Sequence, residues 1–104
     1  MDIDRINRVY RWMVDISQLW FTRNGNVAAS QNDIVGVKND LFFICQDTQK
    51  TFPLISSELF RLKDILFLAQ GRINPVIFGE VISLLRFLEN TADNNDFWNM
   101  IHPT

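Results

Sequence analysis

Three features of the chain predict an all-α fold: apolar residues that recur every three or four positions, turn residues placed between those runs, and a Gly71-Arg72-Ile73-Asn74 link too short for anything but a helical hairpin. The expected architecture is a small antiparallel bundle of about four helices, at approximately 3–22, 33–47, 57–70 and 75–90, followed by a short C-terminal helical turn. No internal repeat and no Pro/Gly/Ser-rich linker divides the chain, so 1–104 reads as a single helical domain.

In the first segment Ile3, Ile6, Val9, Tyr10, Met13, Ile16, Leu19 and Trp20 form one stripe, while Asp4, Arg5, Arg8, Arg11 and Asp15 take the other side. Asp2 and Asp4 suit the positive end of the helix dipole, and Arg23-Asn24-Gly25-Asn26 supplies turn chemistry that ends the helix. The second segment carries Ile34, Val37, Leu41, Ile44 and Thr48 behind Asn32 or Asp33 as N-cap, with Gly36 weakening it. A competing reading makes Leu41 to Cys45 a strand that returns through Thr51 to Ile55 as a hairpin, against which Pro53 counts.

Ser56 or Ser57 is the expected cap of the third helix, which Gly71 stops after Gln70. Asn74-Pro75 starts the fourth, with proline in its first turn. Both helices are apolar around most of their circumference: Leu59, Phe60, Leu62, Ile65, Leu66, Phe67 and Leu68 in one, Val76, Ile77, Phe78, Val81, Ile82, Leu84, Leu85, Phe87 and Leu88 in the other. A chain of this length buries about 65% of its unfolded surface and can hardly enclose two such helices. Apolar surface is therefore expected to stay exposed until another chain covers it, with Phe60, Phe67, Phe78 and Leu85 as candidate oligomer-interface residues.

Composition narrows the function classes. The chain is 47% hydrophobic with nine Phe and three Trp, a heavy aromatic load for so small an interior. A formal net charge of −2 supplies no excess of cations for holding a nucleic-acid backbone, so nucleic acid is not expected as a partner. Cys45, the single cysteine, sits among Leu41, Phe42, Phe43 and Ile44 and reads as a buried thiol in a reducing compartment. The N-terminus opens acidic and no apolar run reaches the length of a membrane span, so the chain reads as unprocessed, cytoplasmic and not membrane-bound.

Residues that carry chemistry are scarce. His102, the only histidine, lies two residues from the C-terminus, a poor place for an oriented general base. One Cys and one His make no zinc set, no acidic calcium loop is present, and the glycines stand singly rather than in a phosphate-cradling loop. No catalytic, metal or cofactor site is expected.

Two clusters suit a binding role instead. Arg5, Arg8 and Arg11 form a slanting basic ridge on the first helix that would clasp a phosphate or an acidic patch. The same spacing also allows plain i,i+4 pairs, Asp4 with Arg8 and Arg11 with Asp15. Near the C-terminus Asp93 and Asp96 stand beside Phe97 and Trp98, an acidic and aromatic combination suited to a basic target.

The function these residues predict is a non-enzymatic protein–protein interaction module: an adaptor, an inhibitor or immunity-type blocker, or a chaperone-like cover. It would self-associate through its last two long helices. The alternative is a small regulator that binds an anionic ligand or nucleic acid through the arginine ridge.

Overall fold

A computed structural model describes residues 3–90 and contains four α-helices: α1 (Ile3–Thr22), α2 (Gln31–Thr48), α3 (Pro53–Ile65) and α4 (Pro75–Asn90). α3 ends at Ile65, short of the expected Gln70: a 3₁₀ turn, Leu66–Leu68, follows it, and Ala69, whose N–H donates to the Leu66 carbonyl, is already extended. The all-α bundle expected from the sequence is the fold observed, with no strand among the described residues. The expected C-terminal helical turn lies outside them.

α1 ends where anticipated. Asn24 and Gly25 both adopt positive φ, 52° and 80°, and Gly25 N–H donates to the Trp20 carbonyl at 2.8 Å, closing the helix with a left-handed cap. α2 begins earlier than its apolar stripe does. Its cap is Ser30 rather than Asn32 or Asp33, because the Ser30 Oγ accepts the Asp33 N–H at 3.1 Å from an extended backbone.

Leu41 to Cys45 is helical, and α2 runs on to Thr48, so no hairpin forms. Thr48 Oγ1 donates to the Ile44 carbonyl at 2.7 Å, which lets a fully buried hydroxyl sit inside the helix. α3 likewise starts ahead of its expected caps: Pro53 occupies its first turn, where a missing N–H costs nothing. Ser56 is thereby left inside the helix and buried, where its Oγ donates to the Cys45 carbonyl of α2 at 3.2 Å. The predicted start of α4 stands: Asn74 Oδ1 accepts the Ile77 N–H at 2.8 Å and Pro75 opens the helix.

One apolar stripe from each helix meets at the centre. Ile6, Val9, Met13 and Ile16 come from α1, Ile34, Val37, Leu41 and Ile44 from α2, Ile55, Leu59 and Leu62 from α3, and Ile77, Val81, Leu84 and Leu88 from α4, all buried. Each such side chain contributes about 1.5–3 kcal/mol when taken from water. α1 packs against α2 and α4, and α3 against the same two, so the helices form a closed ring.

The loops join this core. Val27 and Ile73 are buried, and the Ala29 N–H to Gly71 carbonyl bond (3.0 Å) and the Ile73 N–H to Val27 carbonyl bond (2.9 Å) bridge the α1–α2 connection to the α3–α4 connection. Gly71 turns there with φ +82°.

Candidate functional site

Asp40 is the one buried carboxylate among the described residues, at 8% exposure, and it decides what the arginine ridge of α1 does. Arg8 presents Nε to Asp40 Oδ2 at 3.0 Å and Nη2 to Oδ1 at 3.0 Å, while Arg5 Nη1 reaches Oδ1 at 3.1 Å. Neither i,i+4 pair allowed by the sequence, Asp4 with Arg8 or Arg11 with Asp15, is formed among the described residues. The physical reason in the first case is that a desolvated carboxylate held from two sides is a better partner than a solvated one on the helix surface. Arg11 remains exposed.

The three arginines and Asp40 line an open groove of about 610 Å³ between α1 and α2. Trp12 and Val37 supply its apolar lining, and Asp15 and Asp33 stand among its remaining residues. Gly36 faces it too, and a Cβ placed there would meet nothing within 4 Å.

Arg5 belongs to this groove and also to what lies beyond it. Its Cζ sits 4.3 Å from the centre of the Phe43 ring. Phe43 meets Phe42 edge to face at 5.5 Å. Lys63 Nζ of α3 then lies 5.9 Å from the Phe42 ring centre and 4.7 Å from that of Phe60. Two cations and three rings thus form a chain of contacts across α1, α2 and α3, each cation–ring contact worth about 0.5–1 kcal/mol at exposed sites. The three rings are nonetheless 42%, 43% and 44% exposed. Past Phe60 the surface drops into a second recess of about 320 Å³, lined also by Pro53 and Ser57.

Of the residues proposed for an interface on the last two helices, Phe60 and Phe67 are exposed, Phe67 at 67%. Phe78 and Leu85 are only half-buried but pack against the core, and Phe78 stacks on Trp20 with ring centres 4.3 Å apart and planes 6° from parallel. Phe21, at 71% exposure, touches the edge of that stack at 5.7 Å. Asp93, Asp96, Phe97 and Trp98 lie outside the described residues.

Cys45 is buried, as its neighbours implied, and burial pushes its thiol up to about 11, partly opposed by its contact with Ser56. The thiol packs within the core beside the Ser56 carbonyl, 3.6 Å away. Among the described residues no three His, Cys, Asp or Glu side chains converge on a metal site, and no helix is long and apolar enough to cross a membrane.

Sequence reasoning missed Phe42, Phe43, Lys63 and Asp40. The first two were absorbed into the apolar run around Cys45. The signal that separates them is register: they fall off the Ile34-Val37-Leu41-Ile44-Thr48 stripe, so a helix that buries that stripe must turn them outward. Asp40 immediately precedes Leu41 on the edge of the same stripe, and nothing in its local sequence announces the arginines that reach it from α1.

Comparison with protein-family models, with curated proteins and with solved structures finds no match to this chain.

Proposed function

We propose that this chain is a cytoplasmic, non-enzymatic protein–protein interaction module, of the adaptor, inhibitor or chaperone-like kind, that works through the face shared by α1, α2 and α3. The observation that carries the reading is the strip of Phe43, Phe42 and Phe60, with Arg5 over the Phe43 ring and Lys63 between Phe42 and Phe60. Aromatic rings held in place by neighbouring contacts and still partly exposed are the residue type that dominates binding energy at protein interfaces. Self-association through the last two helices has less support, since Phe78 and Leu85 contribute to the core.

Site-specific photocrosslinking tests this reading. A benzophenone amino acid replaces Phe42 or Phe60 in the full chain, and an exposed control position, Gln18, receives the same group. After irradiation in the cells that make the protein, positions 42 and 60 are expected to give the same discrete adducts and position 18 none. Adducts equal at all three positions, or absent from 42 and 60, would remove the strip from consideration.

A further inference from the structure

We draw no further inference here: the strongest candidate, the exposed aromatic strip of Phe43, Phe42 and Phe60 on the face of α1, α2 and α3, is bordered by cations and carboxylates in balance, and nothing in the structure shows what covers it.

Discussion

Arg8 holds Asp40 edge-on, Nε to Oδ2 and Nη2 to Oδ1, both at 3.0 Å, and so couples the polar face of α1 to the buried side of α2. Arg5 adds a third bond to the same carboxylate. Asp40→Ala removes all three and is expected to cost about 1–3 kcal/mol, since bonds to charged groups are lost while the arginines regain water. A fall in the urea midpoint at unchanged slope is the measurement; an unmoved midpoint would show that the clamp orients the arginines without stabilising the fold.

Two glycines should respond to alanine with opposite signs. In mid-α2, Gly36 has open space where a Cβ would go, so Gly36→Ala should raise stability by about 0.5–1 kcal/mol. Gly25 has φ +80° and its Cβ would lie 3.3 Å from the Trp20 ring, so Gly25→Ala should lower stability by about 1–2 kcal/mol. Thermal melts of the two variants beside the parent decide the matter, and a shared direction would refute the geometry at one of them.

The buried thiol ties stability to alkaline pH. With the Cys45 pKa raised from 9.0 to about 11, the folded chain keeps a proton that the unfolded chain releases. The contribution is therefore fully present below pH 9 and declines as pH climbs through 9 toward 11. Cys45→Ala should flatten that part of the stability profile. In the parent at pH 8, a disulfide reagent such as DTNB should modify Cys45 only as fast as the protein opens, and prompt stoichiometric reaction would contradict its burial.

Large apolar residues on this chain fall into two energetic classes that substitution should separate. Leu62, with no exposed surface, faces the core, and Leu62→Ala is expected to cost about 2–5 kcal/mol. Phe42 is 42% exposed, and Phe42→Ser should cost less than about 1.5 kcal/mol. Chemical denaturation of both variants gives the comparison; equal losses would mean that Phe42 belongs to the core rather than to a working surface.

Much of the fold was legible because three-four periodicity and cap chemistry act locally. The stripe from Ile6 to Ile16, the left-handed cap at Gly25 and the Asn74-Pro75 start of α4 all follow from residues a few positions apart. The ends of α3 were harder, because Ser56 looks like a cap in sequence and becomes one half of an inter-helix hydrogen-bond pair only when α2 packs beside it. The candidate site was legible in part. Arg5, Arg8 and Arg11 stood out by spacing, but their destination, Asp40, lies on another helix, and long-range pairing leaves no periodic trace. Phe42 and Phe43 could have been read outward from register alone. That Lys63 comes to lie between Phe42 and Phe60 depends on how α3 is set against α2, which spacing within either helix does not specify.

The bridge between Ala28 and Arg72 places α2 and α3 inside a closed loop of chain, pinned where it leaves α1 and where it re-enters α4. At that root the Val27 and Ile73 backbones are hydrogen-bonded to each other and both side chains are buried in the core. The amides of Ala29 and Ile73 should thus exchange with solvent as slowly as those at the middle of the helices, although both sit in connections. The α2–α3 hairpin that carries Phe42, Phe43 and Phe60 is thus fastened at its root, which shortens the open loop that its loosening could create.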